Sequence, residues 1–184
     1  MGFFSRATFL VLLHVLLFAV AGCTPAPIQV VKQASPNPFA DGAEPHFVLV
    51  PIDWSELKVN DVHVEDWLAK LDEGDRESFE EEKRDAEKAF RKELVKQARK
   101  QGVRVAHRDS EGTGYVLRMV AERFDRAGEI FFLLTIEDPD GNPVDVLRLA
   151  KDVPLSPGRK METSAELYGF AVAEYLGNRA RGGG

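Results

Sequence analysis

The stretch Ile130 to Leu149 reads IFFLLTIEDPDGNPVDVLRL. From Ile130 to Ile136 it is apolar at every position but Thr135. A run that serves both faces of a strand at once belongs at the centre of a sheet. Asp138-Pro139-Asp140-Gly141-Asn142-Pro143 is dense turn chemistry, and Val144 to Leu149 should return antiparallel.

Working outward, Tyr115, Leu117, Met119 and Ala121 alternate with Val116, Arg118, Val120 and Glu122. That period of two predicts another strand. Val103-Arg104-Val105 predicts a shorter one. Further back, Phe47-Val48-Leu49-Val50-Pro51-Ile52 reads as a buried first strand, with Pro51 confined to its end or to a sheet edge. Between these strands, Trp67, Leu68 and Leu71 suggest a short helical piece. A long helix is expected from Asp75 to Gln101. Its apolar stripe is Phe79, Ala86, Phe90, Leu94 and Ala98, and Gly102 stands where a helix C-terminal glycine belongs.

The charges on this helix are polarised. Acids dominate Asp72 to Glu87 and bases dominate Lys88 to Arg104. Both placements suit the helix dipole. Glu80–Arg84 and Glu87–Arg91 have the favourable i,i+4 order. The same polarity could serve a charged partner, though a solvated face is the simpler reading. Thr163-Ser164-Ala165-Glu166 fits a capping box opening a last helix, with Ala165, Tyr168, Val172 and Tyr175 or Leu176 inward and Gly177 at its end.

The expected fold class is therefore α+β: a mixed four- to five-stranded sheet with two main helices, in the order β-α-β-β-β-β-α. One globular domain is expected over 46–178. Residues 179–184 should form a disordered tail. Thr24 to Pro45 holds Pro25, Pro27, Pro36, Pro38 and Pro45 and reads as a tether, with only Ile28-Gln29-Val30-Val31 hinting at a strand. Fully extended it would reach about 70 Å.

The N-terminus differs in kind. Arg6 precedes the apolar run Ala7 to Val20 (ATFLVLLHVLLFAV), which falls short of the roughly 20 residues a membrane span needs. A basic start, a short apolar stretch and small residues make a secretory signal peptide, expected over 1–22. Val20-Ala21-Gly22-Cys23 resembles the lipobox of bacterial lipoproteins. That resemblance implies cleavage between Gly22 and Cys23 and a diacylglycerol on the Cys23 thiol. It explains the chain's single cysteine, which has no disulfide partner. Two or more acyl chains hold a protein on a membrane stably where one does not. In the same resemblance, Asp after the cysteine retains a lipoprotein at the inner membrane. Thr24 stands here, which points to the outer membrane facing the periplasm, with the inner membrane or the cell surface as alternatives.

The body is also similar in element order to small envelope lipoproteins related to the curli-secretion lipoprotein and the penicillin-binding-protein activator lipoprotein. The similarity takes in Phe47 to Asp53 (FVLVPID), Gln97 to Val103 (QARKQGV) and Glu137 to Asn142 (EDPDGN). It implies proteins that assemble, brace or activate machinery without being enzymes, and it assigns no functional residue.

The remaining motifs dissolve on inspection. His107-Arg108-Asp109 spells the start of a kinase catalytic loop, but Gly114 replaces the metal-binding Asn. Asp138, Asp140 and Asn142 begin like a calcium loop, but Pro143 and Leu149 occupy the positions of the required Gly and Glu. His14, His46, His63 and His107 have no zinc-ligand spacing. Glu65 and Asp66 are adjacent, so on a helix they point apart. No serine sits in a nucleophile elbow.

With 30 acids against 24 bases and a net charge of −6, a nucleic-acid partner is not expected. Nor is a cofactor or a metal. The expected function is a membrane-anchored envelope protein, a non-catalytic binding or assembly module with a protein partner. A ligand-binding or hydrolytic lipoprotein with a dispersed site, and a subunit of an oligomeric secretion assembly, are the alternatives.

Overall fold

The structure is a computed structural model and describes residues 27–39, 45–107, 114–125, 129–150 and 161–183. It is an α+β fold with one mixed sheet and two main helices. The strands are β1 (Ile28–Lys32), β2 (His46–Leu49), β3 (Lys58–Val59), β4 (Val62–His63), β5 (Arg104–His107), β6 (Tyr115–Phe124), β7 (Ile130–Glu137) and β8 (Pro143–Leu149). The helices are α1 (Val64–Leu68), α2 (Glu73–Lys100) and α3 (Met161–Ala180).

The sheet runs β1-β8-β7-β6-β2-β5, with β3 alongside the far end of β6 and β4 paired to β3. Strands β6, β7, β8 and β1 are successively antiparallel, whereas β2 lies parallel to both β5 and β6. The expected element order is present as β2, α2, β5, β6, β7, β8 and α3. The strand count is larger than expected because β1 and the β3–β4 hairpin join the sheet. That hairpin turns on Asn60 (φ 50°) and Asp61 (φ 67°), the two left-handed residues that a tight two-residue turn requires.

Helix α2 follows from its sequence. The Asp72 side chain accepts the Asp75 N–H at 2.8 Å and caps the first turn. The expected stripe of Phe79, Ala86, Phe90, Leu94 and Ala98 is buried, together with Ala89. Gly102 ends the helix at φ +73°, which lets the Val103 N–H reach the Ala98 carbonyl at 3.0 Å. The acidic front half forms a different ion pair from the one expected: Lys83 meets Glu80 at 2.7 Å, one residue nearer in the chain than Arg84. Its ammonium also lies 5.7 Å from the Trp54 ring and 5.8 Å from that of Phe79, a second attraction that holds it there.

Helices α2 and α3 pack on one face of the sheet against Phe47, Leu117, Met119, Phe132, Leu134 and Leu147. They run parallel and close. A Cβ on Gly169 would stand 2.6 Å from the Phe90 carbonyl oxygen, and one on Gly177 would stand 2.6 Å from the Gln101 Cβ. Ala165, Gly169, Ala173 and Gly177 recur every four residues, so a ridge of small side chains admits the α2 backbone.

Two expectations about α3 are corrected. Met161 and Glu162 are already helical, so Thr163 lies inside the helix and cannot cap it, and Ser164 is buried. The helix also continues past Gly177 to Ala180, because Gly177 is a packing residue in it rather than its stop. Strand β7 is central as expected but is not buried on both faces. Ile130, Phe132, Leu134 and Ile136 face the core, whereas Phe131, Leu133 and Thr135 remain half-buried. Antiparallel strands need only one covered face. On the second face Arg118 pairs with Glu137 at 3.0 Å, Arg148 with Glu122 at 3.4 Å, and the Arg123 guanidinium stacks 4.2 Å from the Phe131 ring.

Candidate functional site: an N-terminal clamp and a basic helical face

Residues expected as a loose tether are part of the body. Ile28 registers with Leu149 and Val30 with Leu147, which makes β1 the edge strand beside β8. The Pro27 carbonyl accepts the Ala150 N–H at 3.1 Å, and Lys32 donates to the Pro143 carbonyl at 2.8 Å. Past the strand, Phe39 is buried against Phe47 and Tyr115, with ring centroids 5.5 and 4.7 Å away. The Tyr115 hydroxyl donates to the Pro38 carbonyl at 3.0 Å. Ile28 and Val30 were the visible signal. The burial of Phe39 had none.

The segment is fastened by a buried charge network. Asp145 and Arg179 have side-chain exposures of 0% and 4%. Arg179 Nε donates to Asp145 Oδ2 at 3.0 Å and its Nη2 to Asp145 Oδ1 at 3.1 Å, a bidentate pair. The Tyr175 hydroxyl donates to Oδ2 at 2.7 Å, and the Ala34 N–H to Oδ1 at 2.9 Å. Arg179 Nη2 also donates to the Ala34 carbonyl at 3.1 Å. Asn37 Nδ2 donates to the Arg179 carbonyl at 2.7 Å, and the guanidinium lies 5.3 Å from the Phe39 ring. Burial, then the hydrogen-bonded Asp145 carboxylate, pushes the Tyr175 hydroxyl well above the usual phenol range, so it stays a donor. Arg179, expected at the start of a frayed tail, is thus among the most buried polar residues described. The sequence does carry a hint: Asp145 is an acid at alternate spacing with Leu147 and Leu149, the inward-facing apolar residues of its strand.

The second feature is the outer face of the helix pair. Arg91, Lys92, Val95, Lys96, Arg99 and Lys100 line a shallow groove along the rear half of α2. Lys92, Glu93 and Lys96 adjoin Leu167 and Phe170 of α3 in a second one. Val95, Leu167 and Phe170 are exposed, three of the five large apolar side chains exposed among the described residues. Glu93 is held below the usual carboxylate range by the Gln97 side chain first and Lys96 second, so it stays ionised among these bases. Apolar tips framed by bases suit an acidic, partly apolar partner.

The remaining expected positions separate cleanly. Val20, Ala21, Gly22 and Cys23 lie outside the described residues. So do residues 108–113 of the kinase-like loop, whereas Gly114 is described. Glu65 and Asp66 are exposed on α1. In the β7–β8 hairpin, Asp138 Oδ1 accepts the N–H groups of Asn142 at 2.8 Å and Asp140 at 3.0 Å. Its carboxyl falls below the usual range, through Asn142 first, and its oxygens are engaged in the turn itself. No cluster of three or more potential metal-binding side chains occurs among the described residues.

No protein-family model matches the chain, and no curated protein does. Two solved structures of PelC dodecamers from Paraburkholderia phytofirmans match. One, a single-residue variant, is 12% identical, with a TM-score of 0.45, over 81% of this chain and 97% of that one. The other is 14% identical, with a TM-score of 0.43, over 81% of this chain and 95% of that one. Likeness at this level is too slight to bear on function.

Proposed function

We propose that the chain is a bacterial envelope lipoprotein, anchored through lipid on Cys23, whose body binds a protein partner and helps to assemble or brace envelope machinery without catalysing a reaction. The observation that carries the proposal is the order of Arg6, the apolar run Ala7 to Val20 and the lipobox Val20-Ala21-Gly22-Cys23. The clamp supports it. The segment that leaves the anchor is bound firmly to the body, so force or position at the membrane is passed on to the sheet. The buried polar groups of the clamp hold structure, with Asp145, Tyr175 and Arg179 engaged with one another and with Ala34. The basic helical face supplies the binding surface, and its partner is an acidic envelope protein.

The deciding experiment is Cys23→Ala with lipid labelling and membrane fractionation. Loss of label, loss of mature protein from the membrane fraction and accumulation of uncleaved precursor are expected. Unchanged labelling in that variant overturns the proposal.

A further inference from the structure

The chain becomes part of the sheet at Pro27, whose carbonyl accepts the Ala150 N–H. Only Thr24, Pro25 and Ala26 separate it from Cys23. Four residue steps reach no more than about 14 Å, even fully stretched. Helix α2, with 28 residues, is about 42 Å long. The leash is therefore far shorter than the body it holds. We infer that the body does not hang free: the sheet end where Pro27 meets Ala150 rests against the lipid surface, and the basic ends of α2 and α3 point away from it. This rests on the reading of Cys23 as the lipidated residue.

Strand pairing shows what shares that end. Ile28 lies beside Leu149, Leu149 beside Phe132, and Phe132 beside Ala121. One step further out come Phe131 beside Arg123 and Arg123 beside Lys58. From β1 to β3 there are four strand spacings, about 19 Å in all. Arg123 and Lys58 thus sit where bases meet lipid phosphates. The acids Asp61, Glu65 and Asp66, and the acidic start of α2 with Asp72, Glu73 and Asp75, share that end, so it is the short leash rather than net charge that holds it against the lipid. At the other end stand Lys100, Arg104 and Arg181, separated from the contact by most of the length of α2. A lipid surface would otherwise compete for those bases. The short leash keeps them available to a protein.

The test uses lipidated mature protein in vesicles of phosphatidylethanolamine and phosphatidylglycerol doped with a headgroup nitroxide lipid. Lys58→Cys or Lys100→Cys carries a fluorophore, Cys23 being blocked by its lipid. Quenching is expected at position 58 and not at position 100. Equal quenching at both, or stronger quenching at 100, overturns the inference. Insertion of about ten Gly-Ser residues after Thr24 should abolish the difference by lengthening the leash. A difference that survives the insertion also overturns it. Intact mass separates the two readings: a mature chain without lipid on Cys23 defeats the anchor itself and this inference with it, whereas a lipidated chain quenched equally at both positions defeats the orientation alone.

Discussion

Asp145 accepts two bonds from Arg179, one from Tyr175 and one from the Ala34 backbone, with no exposed surface of its own. A buried pair of this kind adds little net stability over an apolar substitute, but removing one partner strands the other charge. Arg179→Met should therefore destabilise the body by about 3–5 kcal/mol, read as a lower urea midpoint with an unchanged slope. An undiminished midpoint would mean that water reaches Asp145. Sequence reading placed Arg179 in a tail because it follows Gly177, and glycine near a helix end usually marks the stop. The bridge from Arg179 to Ala34 joins residues far apart in the chain, and no local pattern announces such a pair. Cys23 is the opposite case. The lipidation proposed for it rests on its immediate neighbours in the chain alone and calls on no fold.

The β7–β8 hairpin and α2 were the most legible elements, because turn chemistry and a repeating apolar stripe are local signals. The turn also supplies a pH prediction. Asp138 titrates below its ordinary value of 3.8 when folded, because the Asn142 and Asp140 N–H groups favour the charged form. Its contribution is thus fully present above that ordinary value and is lost as pH falls through the lower folded one. Wild type and Asp138→Ala should differ in urea midpoint by a constant amount near neutrality, and the gap should close in acid below about pH 3.8. A gap that persists unchanged at the acid end would assign Asp138 a role other than its charge. Helix α3 was less legible. Its small residues mark a close approach to α2, but nothing in the chain says which neighbour they approach. The charge polarity of α2 also gains a simpler cause from the fold. Two parallel helices place like dipole ends together, and acids at the shared start with bases at the shared end oppose that repulsion.

At the scale of the whole molecule, the surprise lies in where the body begins. A domain starting at His46 was expected, yet β1 and Phe39 belong to the sheet and the core. The proline-rich composition of 24–45 suggested a tether, but five residues of strand and one buried ring outweigh that average. A chain begun at His46 would lose Phe39 from the core, leave Asp145 and Arg179 without Ala34, and expose the edge of β8. Loss of a buried phenylalanine alone costs about 3–5 kcal/mol. Against a chain begun at Thr24, the shorter one should melt at lower temperature and aggregate at its open edge, measured by calorimetry and light scattering. Equal melting of the two would show β1 to be an ornament of the sheet.

The pairing of β1 with β8, and of Ala34 and Asn37 with Arg179, also sets an order of events in time. The earliest part of the body to be synthesised is completed by the last. Until β8 exists β1 has no strand partner, and until α3 exists Asn37 has no Arg179 carbonyl to hold, so the sheet stays open at one side for most of the time the chain is being made. Under the export proposed above, in which it is threaded unfolded through a translocation channel, the chain gains from such an arrangement. Its structure closes only when its end has arrived, and the delay is built into the topology.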